Sequence, residues 1–127
     1  MKRLAEYNPD LKIIVLLREP SSRAISHYYH EVRNKREPLS MREALEKEDF
    51  RLKGEREKIV NNYSYVSFNH QRYSYKSRGL YAEQIKEIKK HFNDKNIMII
   101  DSKNFFNKTQ ETVDDVLSFV IVPSRCF

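Results

Sequence analysis

Apolar side chains recur along this chain in two rhythms. Ile13 to Leu17 is an unbroken run, Ile-Ile-Val-Leu-Leu, and Ile97 to Ile100 is a second, Ile-Met-Ile-Ile. Short runs of branched residues without polar alternation predict strands buried on both faces, as in a parallel sheet. Elsewhere the apolar positions fall at helical spacing. Ile25, Tyr28, Tyr29 and Val32 stand at i, i+3, i+4 and i+7 and predict a helix that packs on the sheet. Ser40-Met41-Arg42-Glu43 reads as a capping box opening a second helix toward Phe50 or Leu52, with Gly54 to end it. Tyr81, Ile85, Ile88 and Phe92 make one stripe of an amphipathic helix over Ala82 to Phe92, whose Lys-rich face meets water. Val113, Val116, Leu117 and Val120 stripe a last helix from about Thr109.

The punctuation between these segments agrees with that reading. Pro20 cannot continue a strand ladder, and Ser21 or Ser22 is placed to cap the helix that follows. Asn34 to Pro38 is a polar loop, and Asn93-Asp94-Lys95-Asn96 turns the chain into the second strand. From Glu55 to Lys76 the pattern is weak: Tyr63, Tyr65, Phe68, Tyr73 and Tyr75 alternate loosely among polar residues, which fits short helices or an aromatic loop. Strand, helices, strand, helix is the order of an α/β fold with a parallel crossover. Two strands are too few for the doubly covered sheet that the runs imply, so the sheet calls for neighbours.

The turn out of the first strand carries the candidate chemistry. In open α/β sheets ligands collect outside the carboxyl ends of the strands, where helix N-termini favour anions. Arg18 ends the first run with a planar fork of donors, and Ser26 stands in the first turns of the next helix with a hydroxyl for the same oxyanion. The bland alternatives are an arginine paired with Glu19 or Glu31, and a serine that is solvated or bonded back to a carbonyl. Arg23 fits a structural salt bridge better than a second anion contact. His27 and His30 share a helix face, but without ligand partners at metal spacing they read as polar surface, and no metal site is expected. Gly79 fits either a positive φ or close approach ahead of a helix, or an ordinary turn. The aromatic residues of the middle segment, interleaved with Arg72, Lys76 and Arg78, would either stack on bases or cover the sheet as core.

Composition narrows the field only a little. The 127 residues fit one compact domain, taken as 1–127. A formal charge of +6 suits an anionic partner such as a nucleotide, a sulfated glycan or nucleic acid, and equally a merely basic surface. With Cys126 as the single cysteine there is no disulfide framework. No stretch approaches the roughly 18 apolar residues of a membrane span, and Met1 to Tyr7 lacks the apolar core of a signal peptide. A soluble protein is expected, cytoplasmic if its source is bacterial. Asn62-Tyr63-Ser64 and Asn107-Lys108-Thr109 are formal sequons, a pattern common by chance.

Leu17-Arg18-Glu19-Pro20 followed by Arg23-Ala24-Ile25-Ser26-His27-Tyr28 resembles the 3′-phosphate-binding segment of sulfotransferases that use 3′-phosphoadenosine 5′-phosphosulfate (PAPS). Pro38 to Leu45 with Glu48 and Arg51 is similar to the connecting helix of the carbohydrate-type and bacterial members. Ser77-Arg78-Gly79-Leu80-Tyr81 leading to Ile97 to Asp101 is similar to their next helix and strand, so the resemblance spans roughly residues 8 to 122. It implies part of a parallel sheet of P-loop type flanked by helices, and sulfuryl transfer from PAPS to a hydroxyl or amine of a carbohydrate or small molecule. It also implies that Arg18 and Ser26 hold the 3′-phosphate. The family's glycine-rich loop with its lysine has no counterpart here, since Gly54 and Gly79 belong to no such pattern. The expectation is therefore an internal piece of such a domain, with no catalytic base to nominate and little or no activity alone. Two other classes stand beside it: a non-catalytic module binding adenosine bisphosphate or sulfated glycan, and a basic nucleic-acid binder, the latter without a recognised motif.

Overall fold

The computed structural model describes residues 1–121; Cys126 and the rest of the terminal stretch lie outside them. In chain order the described residues form α1 (Lys2–Tyr7), β1 (Ile13–Leu17), α2 (Pro20–Arg33), α3 (Met41–Glu46), α4 (Glu48–Leu52), α5 (Glu55–Asn61), α6 (Phe68–Tyr73), α7 (Tyr81–His91), β2 (Ile97–Asp101), α8 (Ser102–Asn107) and α9 (Thr109–Val120). A 3-10 turn at Ser77–Gly79 precedes α7. The chain divides into two compact units. Residues 1–18 join residues 81 onward in one, and residues 19–80 form the other.

The first unit holds the sheet. β1 and β2 run parallel, with Ile13 opposite Ile97 and Leu17 opposite Asp101. Ile88 of α7, Phe92 just past its end and Ile100 of β2 are its buried apolar residues, each contributing about 1.5–3 kcal/mol by burial. Asn93 accepts from the Lys95 amide at 3.1 Å and closes the turn before β2. Lys12 donates to the Phe119 carbonyl from within the same unit. The expectation of strands covered on both faces is corrected: β1 alternates, with Ile14 and Leu16 exposed, Leu16 to 58%. A sheet of two strands leaves each with an open edge and too little neighbouring surface to cover both faces. α1 and α8 have no apolar stripe that would announce them.

The second unit is helical. Ser40 and Glu43 close a reciprocal capping box, the Ser40 amide donating to Glu43 at 3.0 Å. The single helix expected after it is broken at Lys47 into α3 and α4, and the featureless 55–76 stretch forms the short helices α5 and α6. Gly54 takes φ +75° between α4 and α5, a left-handed conformation that costs glycine nothing. α2 buries a different face from the one its apolar residues suggest. Ile25, Tyr29 and Val32 are exposed, while Tyr28 and Glu31 are buried and Ala24 and His27 half-buried. Tyr28 packs with Ala44 and Tyr75 in the core and donates to the Leu39 carbonyl at 2.8 Å.

Carboxylates hold the rest of this unit's interior. Glu37 takes a two-pronged hydrogen bond from Arg51, at 2.5 and 3.0 Å, and a third from the Tyr75 hydroxyl at 2.7 Å. Burial opposes ionisation of Glu37, yet these partners bring its carboxyl below the usual range. Glu48, 1% exposed, accepts the amides of Lys76 and Ser77, both at 2.8 Å, and so pins the turn that leads to Gly79. Glu55 accepts from Tyr65 and Ser67 at 2.6 and 2.5 Å. The aromatic residues of this stretch, read as a stacking set or as sheet cover, divide within the helical unit. Tyr75 is core of the helical unit, Tyr73 donates to the Arg36 carbonyl, and Tyr63 and Phe68 are exposed.

Candidate functional site

In the sheet unit, the ladder fixes where the strand-end cation stands. Leu17 is the last paired residue of β1, opposite Asp101, so Arg18 is the first residue past the carboxyl edge of a parallel pair. It is exposed, and among the described residues of its unit the guanidinium makes no hydrogen bond or ion pair. The Arg18 backbone is held where the side chain is not: its carbonyl accepts from the Tyr81 hydroxyl at 2.7 Å. At the same edge the Asp101 carboxylate is engaged as the cap of α8, accepting the Lys103 amide at 2.9 Å.

In the helical unit, the start of α2 is occupied. The cap is Glu19, not Ser21 or Ser22. Its carboxylate accepts the amides of both serines, at 3.0 and 2.7 Å, ahead of Pro20 in the first turn. Hydrogen bonds from the Ser21 hydroxyl and the Ser22 amide, above all, hold the Glu19 carboxyl down at about 2. An ionised side chain therefore satisfies the amides that a ligand anion would otherwise use. What remains for a phosphate is side-chain donors. Ser26, on the exposed second turn, is one: its hydroxyl makes no hydrogen bond to the described residues, back-bonding included.

The neighbouring residues serve the fold. Arg23 donates to the Tyr75 carbonyl, a structural hydrogen bond. His27 is not polar surface. Its ring meets Tyr75 edge-on at 4.9 Å with the side chain 11% exposed, against 58% for His30. Burial, then the nearby Arg78 and Arg23 charges, lower the His27 pKa to about 4, so at neutral pH it stands uncharged, 3.9 Å from Glu31. Gly79 makes a close approach to protein: a Cβ there would meet the Pro20 Cβ at 3.0 Å, so a side chain would press the 3-10 turn against the first residue of α2. Among the described residues no group of three or more His, Cys, Asp or Glu is arranged to hold a metal.

A model of the sulfotransferase domain matches residues 2–125, nearly the whole chain. The chain belongs to the sulfotransferase domain family. Among solved structures, a sulfotransferase from Alicyclobacillus acidocaldarius is similar, with 32% identity and a TM-score of 0.72 over 98% of this chain. The chain spans 47% of that protein's length. Among curated proteins none matches. The mixed α/β architecture, with its small parallel sheet flanked by helices, is thus part of a sulfotransferase fold. Sequence reasoning placed Arg18 and Ser26 on exposed, unengaged positions but missed Glu19 and Tyr81. A glutamate before proline at a helix start was the available signal for the first; for the second, a contact over 63 positions, there was none.

Proposed function

We propose that this chain is part of a PAPS-dependent sulfotransferase domain and supplies the residues that hold the 3′-phosphate of the nucleotide. The observation that carries the reading is the Arg18 guanidinium, exposed and unengaged in its unit directly after a parallel strand, in a chain of this family. Ser26 adds a hydroxyl that is unengaged among the described residues. In the reaction an acceptor hydroxyl or amine, on a carbohydrate or small molecule, attacks the sulfur in line. The S–O bond to the 5′-phosphate breaks, the acceptor loses its proton, and 3′-phosphoadenosine 5′-phosphate leaves. Arg18 and Ser26 act away from the sulfur: they orient the nucleotide, and positioning is a large part of such catalysis. No residue of this chain is assigned as the base, so the chain alone is expected to bind nucleotide without turnover.

Calorimetric titration with 3′-phosphoadenosine 5′-phosphate tests this. Arg18→Ala removes a charge-assisted contact and should weaken binding about tenfold or more, Ser26→Ala by about threefold. Unchanged affinity in Arg18→Ala would remove the assignment. A nucleic-acid binder would instead ignore the nucleotide and bind oligonucleotides with a steep salt dependence. The internal placement of Tyr75 and the engaged hydroxyls of Tyr65 and Tyr73 speak against that reading, because they do not form a stacking platform.

A further inference from the structure

Arg18 leaves the β1 ladder, so its carbonyl has no strand partner and must be satisfied elsewhere. The partner is a phenol 63 positions away: Tyr81, the first residue of α7, donates to that carbonyl at 2.7 Å. α7 is in turn anchored by Ile88 and Phe92 in the core of the same unit. The hydrogen bond therefore ties the backbone that carries the guanidinium to a packed helix, one residue before Glu19 caps α2. The bond is exposed, where a neutral hydrogen bond adds little net stability. Its effect falls on direction. A long, otherwise unengaged side chain binds an anion well only if its own backbone is already fixed, because each freedom left open must be lost on binding.

We propose that Tyr81 is a positioning residue for Arg18, acting through the Arg18 carbonyl and not on the ligand. This rests on the reading of Arg18 as a 3′-phosphate ligand, and the test separates the two.

Tyr81→Phe keeps the ring and deletes the donor. It should weaken 3′-phosphoadenosine 5′-phosphate about three- to tenfold, the worth of one ordinary hydrogen bond, with the melting temperature within a degree or two of wild type. In an Arg18→Ala background the same substitution should change nothing, because the group it orients is gone. Adenosine 5′-phosphate, which lacks the 3′-phosphate, should bind Tyr81→Phe and wild type alike. An equal loss for both nucleotides, or a loss that persists without Arg18, would mean that Tyr81 touches the nucleotide or supports the fold generally, and either overturns the inference. Full affinity in Tyr81→Phe together with weak binding in Arg18→Ala overturns the positioning role alone. Full affinity in Arg18→Ala, or no nucleotide binding by the wild-type chain, defeats the function reading and this inference with it.

Discussion

His27 shows how burial, not spacing, decides what a titratable side chain does. Its spacing to His30 put both on one helix face, which is visible in the chain; that Tyr75 would close over only one of them is not. A histidine whose folded pKa lies near 4, below the ordinary 6.5, binds its proton less readily in the native state than in the unfolded one. Stability is therefore full above 6.5 and falls as pH drops through the window between 6.5 and about 4. Proton NMR of the ring should place the titration near 4, and His27→Gln should flatten the pH dependence of the melting temperature across that window. A midpoint near 6.5 would contradict the buried placement. Arg18 was legible for the opposite reason: the end of an apolar run marks a strand's edge, and an arginine there needs no tertiary information to be placed. Glu19 was not, because a carboxylate folding back on Ser21 and Ser22 is a rotamer, and rotamers leave no periodic trace.

Elements were legible where one apolar stripe was long enough, as in α7, β1 and β2, and their bounds fall within a residue or two of the pattern. α2 had the right length and the wrong face. Ile25, Tyr29 and Val32 are more apolar than the stripe that is actually buried, which includes Glu31 and His27. Its C-terminal end carries a further departure from local preference. Lys35 sits at φ 55°, a left-handed position that glycine usually fills, while Arg36 donates back to the Glu31 carbonyl at 2.9 Å. Lys35→Gly should raise stability by about 0.5–1 kcal/mol, the relief of left-handed strain less the added freedom of the unfolded chain. Gly54 is the mirror case, at φ +75° with open space where a Cβ would stand, so Gly54→Ala should cost about 1 kcal/mol from strain alone. Urea unfolding of both variants measures this, and a stabilised Gly54→Ala or a destabilised Lys35→Gly would show that the two turns are not held as described.

The two units are built from different materials, and that difference was hidden in the sequence. The sheet unit is held by Ile88, Phe92 and Ile100, residues that the apolar pattern names outright. The helical unit is held as much by Glu37, Glu48 and Glu55, each bonded to groups 10 to 38 positions away, and no local rule announces a glutamate as interior. This contrast sets how acid should act. Glu19 and Glu55 titrate at about 2 in the folded chain instead of 4.5, and Glu37 and Glu43 are also lowered. A lowered carboxylate stabilises the native state above its unfolded value and loses that contribution as pH falls through the folded one. All four lie in residues 19–80, where His27 adds its own loss at higher pH. In the sheet unit Glu87 is lowered too, but by Lys90 and His91 on its own helix, so its loss touches α7 alone. Between pH 4.5 and 2, amide signals of residues 19–80 should therefore collapse before those of Ile97–Asp101 in two-dimensional NMR. Glu37→Gln should reproduce part of that collapse at neutral pH, because it leaves the Arg51 guanidinium without its carboxylate. Loss of the strand amides first would locate the acid-sensitive contacts in the sheet and refute this division of labour.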